Sequence, residues 1–496
     1  MQKPALTGGD SSEETFSLKK IIPPMMAIIA GMIMVILDGT VVNVAVPELV
    51  KYFETSLQTI QWTITGYTLA LSAVIPLAGW MTDKFGAKRI FVLTIVLFTL
   101  GSVLCSLAQT PEQLVLYRII QGLGGGMVAP IGMAMVFKLA PPERRGSIMG
   151  MLGIPMLLAP ALGPVLSGYL VQYATWHWIF LINVPVGLVA VWLGLKFLPG
   201  GSGQEAVRLD LWGMILAPIA FAMLVYGVSE GSESWTSAST ITGLAVGGAA
   251  LIVFIIVELR QKYPLLELRV FGSTDFTRGI LLLWVTQIAL FGAMLLIPLY
   301  LQNIRGLTPL ETGLLLLPQA LASGVAMPIG GKLFDKFGAK PLAMAGLTVI
   351  TAALYMLSGI TSDTANGQII LCLIMMGMGM GLSMMPLNTH VLNSAPRQLV
   401  SRVTPLTAAA QQIVVSFAIA GLTGYLTSRM TVHAADPEQA GNPLQVAVLS
   451  YGDTFLVASC IAVAGLLLTF LLRKPAAKPQ AGPEQDAAES SMMMGH

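Results

Sequence analysis

The chain predicts an all-α integral membrane protein with fourteen spans: two six-helix bundles, two extra transmembrane helices between them, and both termini in the cytoplasm. Three observations lead there: scarce charge, the number and length of the apolar runs, and a six-residue string that occurs twice. Of 496 residues, 55% are hydrophobic and only 10% charged. Soluble chains carry about 25% charged residues, so this one cannot cover a water-facing surface. Lipid must be the solvent for most of it.

A helix needs about 20 apolar residues to cross roughly 30 Å of hydrocarbon. Such runs lie near 21–47, 57–81, 89–109, 112–137, 146–171, 177–198, 210–228, 238–257, 278–301, 309–332, 340–360, 367–392, 403–428 and 449–472. The first is too long, and too polar at Asp38, Thr40 and Asn43, for a cleaved signal peptide, and reads as a retained span. Basic residues orient the set. Alternate connections and the two ends hold 23 of the 27 Lys and Arg, the opposite side holds Lys51, Arg305 and Arg429, and Arg118 alone lies inside a span. The basic side is therefore cytoplasmic. The tails, 1–20 and 473–496, are polar and read as disordered.

The string DKFGAK starts at Asp83 after the second span and again at Asp335 after the tenth. Eight spans separate the copies, so they face the same side, as a parallel repeat requires. A second echo pairs GLGGGMVAP at Gly122 with GMGMGLSMMP at Gly377. Two six-span bundles need only six spans between copies, which makes the seventh and eighth an insertion. The resulting division is 21–199 for the first bundle, 200–274 for the linker with the extra pair, and 275–472 for the second bundle.

Other function classes fall away on composition. A net charge of +2 leaves no basic excess for a nucleic-acid partner. Three separated cysteines in apolar runs make neither a disulfide framework nor a metal site, and the four histidines show no metal-binding spacing. The glycine clusters do not complete a dinucleotide fingerprint, and no GxxxxGK[ST] occurs, so ATP does not drive this chain directly. Gly122/Gly126 and Gly377/Gly381 instead read as close-packing seams between helices. No cofactor is implied.

The segments LDGTVVNVAVP (Leu37 to Pro47), GWMTDKFGAKR (Gly79 to Arg89), YRIIQGLGGG (Tyr117 to Gly126), GIPMLLAPALGPVLSG (Gly153 to Gly168), WHWIFLINVPVG (Trp176 to Gly187) and LIPLYLQNIRGLTPLETGLLLLP (Leu296 to Pro318) carry a family likeness. Together they resemble the signature set of the major facilitator superfamily, and within it the fourteen-span drug:proton antiporters of the QacA/EmrB type. The likeness covers nearly the whole membrane region and implies a major facilitator fold and secondary active transport rather than an enzyme.

Gly79, Asp83, Gly86 and Arg89, echoed by Asp335 and Gly338, read as a cytoplasmic gate. A carboxylate, a tight glycine turn and a basic cluster can make state-dependent ion pairs and helix-dipole contacts. The resemblance implies that this gate latches the inner side when the outer side is open. In the fifth span, Gly153, Pro155, Pro160, Gly163, Pro164 and Gly168 should bend and thin the helix. Their pattern resembles the family's antiporter motif, with Ser167 where a glycine is usual.

Asp38 is the only carboxylate deep in a span, and such a residue is costly and functional by default. At 1.5 Å per residue, Arg118 reaches a similar depth in the fourth span and is the expected counter-ion, with Gln121 on the same helix face. Proton coupling is assigned to Asp38 and Arg118, the alternative being a static buried ion pair. Asn43, about 140° around the helix from Asp38, is expected to be a packing contact.

A pliable substrate cavity is sketched from Trp62, Tyr67, Gln121, Met149, Met156, Trp284, Gln287, Phe291, Gln319, Gln411 and Gln412. With one deep carboxylate, lipophilic neutral or monocationic compounds are expected over dications. The alternative cargo is an endogenous amphiphile: a lipid, a peptide or a siderophore. The expected setting is a bacterial plasma membrane and the expected partners are substrate, protons and bilayer. The protein is expected to act as a monomer, with a periplasmic adaptor if the source is Gram-negative.

Overall fold

The computed structural model describes residues 18–201, 210–231, 234–436 and 442–472. The tail assignments, the basic residues Lys3, Arg208, Arg473, Lys474 and Lys478, and most of the inter-bundle linker before Asp210 lie outside the described residues. Within them every regular element is helical, as an apolar solvent demands, because each backbone N–H and C=O must find its partner within the chain.

The first section comprises α1 (Leu18–Tyr52), α2 (Leu57–Val74), α3 (Ala78–Phe85), α4 (Ala87–Ser106), α5 (Pro111–Gly125), α6 (Val128–Leu139), α7 (Arg145–Tyr173), α8 (Trp178–Leu181) and α9 (Asn183–Phe197). Two spans are broken. A 3₁₀ turn at Ile75–Leu77, containing Pro76, separates α2 from α3, and the glycine run ending at Gly126 separates α5 from α6. The pair α10 (Leu211–Gly231) and α11 (Ala238–Arg260) follows, packed on itself, with α10 also touching α2 and α16. The last section comprises α12 (Thr274–Asn303), α13 (Pro309–Phe337), α14 (Ala339–Ser358), α15 (Asn366–Asn393), α16 (Val400–Ala434) and α17 (Pro443–Leu468).

Among the described residues thirteen helices are long and apolar enough to cross a membrane. The fifth expected span is not among the thirteen, although a continuous 29-residue helix, α7, occupies its place. The side chains of Pro155, Pro160 and Pro164 lie outside the described set, and with them the expected bend.

The glycine seams are close backbone contacts. A methyl group on Gly122 would stand 2.7 Å from the Tyr67 carbonyl of α2, and one on Gly377 would overlap the Gln319 carbonyl of α13. Glycines also fix α7 on two sides. Gly146 and Gly150 meet the backbone of Gly331 and Met327 on α13, Gly153 meets the Met327 side chain, and Gly163 meets Thr40 on α1. A methyl on Gly168 would meet only Leu310 Cβ of α13, at 3.9 Å, an ordinary contact. Ser167, where a glycine was the expected residue, is fully buried and donates its hydroxyl to the Val41 carbonyl at 2.6 Å.

Candidate functional site

Asp38 on α1 and Arg118 on α5 are each 1% exposed, and Arg118 Nη1 donates to Asp38 Oδ2 at 2.5 Å. Neither charge could survive that burial alone, so the surrounding polar groups matter as much as the pair. Gln121, one turn from Arg118, accepts from Arg118 Nη1 at 2.7 Å and donates through Nε2 to Asp38 Oδ1 at 2.9 Å and to Ser102 Oγ at 2.6 Å. Asn183 donates to the same Asp38 Oδ1 at 2.9 Å and to Ser102 at 3.3 Å. The Arg118 Nε–H is taken by the Thr63 carbonyl at 3.2 Å, and its guanidinium lies 3.9 Å over the Tyr67 ring. Five helices, α1, α2, α4, α5 and α9, thus meet in one cluster, whose carboxylate accepts three donors on two oxygens.

Local sequence explains the convergence. Gly101 lets α5 approach α4 so closely that a methyl there would stand 2.7 Å from Gln121 Cα, and Ser102 is the next residue. Asn183 begins α9 after the break that follows α8. Sequence reasoning placed Asp38, Arg118 and Gln121 but missed Ser102, Thr63 and Asn183. The signal for Asn183 was an asparagine inside the WHWIFLINVPVG segment, an amide with no surface to face. Asn43, expected to pack, is exposed instead. The repeat does not duplicate the cluster. The repeat offsets, 252 between the DKFGAK copies and 255 between the glycine seams, lead from Asp38 and Arg118 to Leu290 and Leu373, both buried leucines.

The two DKFGAK loops sit at the end of the molecule where the first and last sections meet. Gly86 (φ 91°) and Gly338 (φ 80°) end α3 and α13 in a conformation that side chains resist. Each aspartate reaches into the opposite section. Asp83 accepts from Arg402 Nε on α16 at 3.1 Å. Asp335 accepts from the backbone N–H groups of Gly146 and Ser147 at 2.7 and 2.9 Å and from the Ser147 hydroxyl at 2.5 Å. The residue preceding α7, Arg144, makes no side-chain cap of its own, so Asp335 caps this helix from the other section. Arg145 Nη1 donates to Asn393 at 2.7 Å, and a methyl on Gly79 would stand 2.7 Å from the Ser401 carbonyl. Arg89 departs from expectation. It is exposed and takes no part in the Asp83 ion pair, because Arg402 supplies the cation across the interface.

The sketched cavity is only partly gathered. Tyr67 and Gln121 stand with Arg118. Trp62 does not: five residues from Tyr67, it points about 140° away, is 42% exposed and stacks on Tyr226 of α10 at 6.1 Å. Met149 and Gln287 are fully buried and Gln319 nearly so, its amide against the Met380 sulfur at 3.6 Å. These three offer no open surface in this arrangement. Met156, Trp284, Phe291, Gln411 and Gln412 are half-buried and spread over α7, α12 and α16.

A helical membrane protein with repeated loops joining its two sections and an ion pair buried among its helices has the build of a solute transporter. Its fold matches that of the proton:xylose symporter XylE, with a TM-score of 0.61 at 14% identity over 92% of this chain and 97% of that one. Residues 28–419 match the Major Facilitator Superfamily model, and the chain belongs to that superfamily. It is 36% identical to the multidrug resistance protein B homolog of Mycobacterium tuberculosis strain H37Rv, over 80% of this chain and 74% of the relative. It is 31% identical to the lincomycin resistance protein LmrB of Bacillus subtilis, over 92% and 96%. The protein is a multi-pass transporter of the bacterial plasma membrane.

Proposed function

We propose that the chain is a fourteen-span, proton-coupled multidrug efflux antiporter of the QacA/EmrB type, with α7 as the fifth span and both termini cytoplasmic. The cargo is lipophilic and neutral or monocationic. The observation that carries the coupling is the Asp38 cluster: a buried carboxylate whose charge is held by Arg118, Gln121 and Asn183. A proton arriving on Asp38 removes the charge that orients all three, so its loading and the packing of α1, α4, α5 and α9 are linked. Drug efflux follows the names of the relatives, and the restriction to neutral or monocationic cargo follows the single deep carboxylate in the spans. Asp83 and Asp335 form the cytoplasmic gate, shut in the arrangement described.

One charge moved through 100 mV is worth about 2.3 kcal/mol, which sustains a roughly 50-fold gradient of a neutral compound. The test is transport in proteoliposomes under an imposed proton gradient, with neutral, monocationic and dicationic dyes. Wild type should export the first two classes and stop when the gradient collapses, and Asp38→Asn should show no proton-driven export. Normal proton-driven export by Asp38→Asn would leave only a static ion pair, and strong dication export would overturn the cargo class.

A further inference from the structure

The α10–α11 pair has no part in the cluster or the gate as described so far, yet it carries two buried acids. Asp210, at the start of α10, is 3% exposed, and Glu258, in the last turn of α11, is 1% exposed. Asp210 Oδ1 accepts from the Gly213 N–H at 3.0 Å and from Gln261 Nε2 at 3.2 Å, and Glu258 Oε2 accepts from the Leu266 N–H at 3.4 Å. The other oxygen of each, Asp210 Oδ2 and Glu258 Oε1, is buried without a hydrogen-bond donor among the described residues. Both lie 2.5 Å from the point where a Cβ on Gly213 would stand, so they are at most twice that distance apart.

No cation among the described residues pairs with either acid. Arg269 lies 3.9 Å from Glu267 and donates to the Gln261 and Leu259 carbonyls, at 2.6 and 3.5 Å. Arg260 and Lys262 are exposed. Arg402, on α16, is taken by Asp83 and by the Pro264 carbonyl at 3.2 Å. This last bond joins the acids to the gate: Glu258 holds Leu266, and two residues earlier Pro264 holds the arginine that Asp83 needs.

We propose that Asp210 and Glu258 form a second protonation site, one proton shared between their facing oxygens, and that this proton keeps the segment 261–267 against Arg402 and the gate shut. Two like charges so close and without a cation cannot both persist out of water. With the proton gone, repulsion parts the carboxylates, Leu266 and Pro264 follow, and Arg402 loses one of its two acceptors. The gate therefore closes as the pH on its own side falls and loosens as it rises. For a transporter that brings protons in, which is the reading proposed above, such a site halts uptake by an acidified cell.

The gate is read directly, without transport, as the distance between spin labels at Glu143 and Gln398, exposed residues in matching turns of the two sections. The exposed Cys460 is replaced, and the protein carries Asp38→Asn, so that titration of Asp38 does not contribute. The expected result is a closed population at pH 6 that falls at least threefold by pH 9, and that stays closed across the range after Glu258→Gln, whose amide donates where the shared proton did. Asp210→Asn repeats the test should Glu258→Gln not fold. A distance independent of pH in the Asp38→Asn protein, or a pH response that persists in both amide variants, overturns the proposal. Either outcome leaves the dye-transport test unaffected.

Discussion

Removing the Asp335 carboxylate should open the gate by an amount that follows from its bonds. It caps α7 with two backbone N–H contacts and one hydroxyl contact, and nothing on α7 replaces it. Loss of a capping residue costs about 0.5–2 kcal/mol, and the negative charge at a helix N-terminus adds about 0.3–1 kcal/mol. Asp335 is half-buried, so screening removes part of the second contribution, and Asp335→Ala should weaken the closed state by about 2 kcal/mol. That is roughly a 30-fold larger open population. Asp335→Asn loses the charge and one of the two acceptor oxygens, keeps a single carbonyl oxygen for α7, and should give a smaller rise than Asp335→Ala, about tenfold. The assay is maleimide labelling of Met327→Cys, a position 2% exposed beneath the α7–α13 seam, in a background without the native cysteines. Labelling speeds up in proportion to the open fraction. An unchanged rate in Asp335→Ala would refute the capping account, and equal rates in the Ala and Asn variants would show that the remaining carbonyl oxygen caps nothing.

Asn183→Ala removes a donor from Asp38 and should slow proton-driven dye export by about tenfold, since hydrogen bonds to charged groups are worth about 1.5–3 kcal/mol. Asn43→Ala, at an exposed position, should leave export within about twofold. Equal effects of the two would show that the Asp38 cluster has no special role. Gly377→Ala forces a methyl into the Gln319 carbonyl and should cost about 1–3 kcal/mol by overpacking, read as a lower unfolding midpoint in detergent. Gly421→Ala, whose methyl would meet nothing within 4 Å on another helix, is the matched control, and similar midpoints for both would undo the seam.

The sequence alone determined that the protein lives in lipid, because 10% charge leaves nothing to face water with. It also picked out Asp38 and Arg118, because a charge inside an apolar run is conspicuous whatever the fold. The glycine seams were legible for the same reason of local pattern: small residues one helical turn apart admit a neighbouring backbone. What the pattern could not supply was the partner. Ser102 is unremarkable, and Asn183 only an amide in an apolar segment, until α4 and α9 are brought against α1, and no spacing along the chain relates positions 38, 102 and 183. Trp62 and Tyr67 looked alike as aromatic residues of one helix, and only packing showed that one supports Arg118 while the other faces α10.

The gate shows the division most clearly. DKFGAK appears twice in the sequence with its acid, its glycine and its basic residues, which marks a gate without naming the partner of either acid. Tertiary structure sends Asp83 to Arg402 and Asp335 to the start of α7, because a carboxylate at a helix end pairs with whatever cation or free N–H group the opposing section presents. Sequence fixes which groups need a counterpart, since desolvation follows from residue type and hydropathy. The fold alone decides which counterpart each one finds, since that depends on contacts between helices hundreds of residues apart.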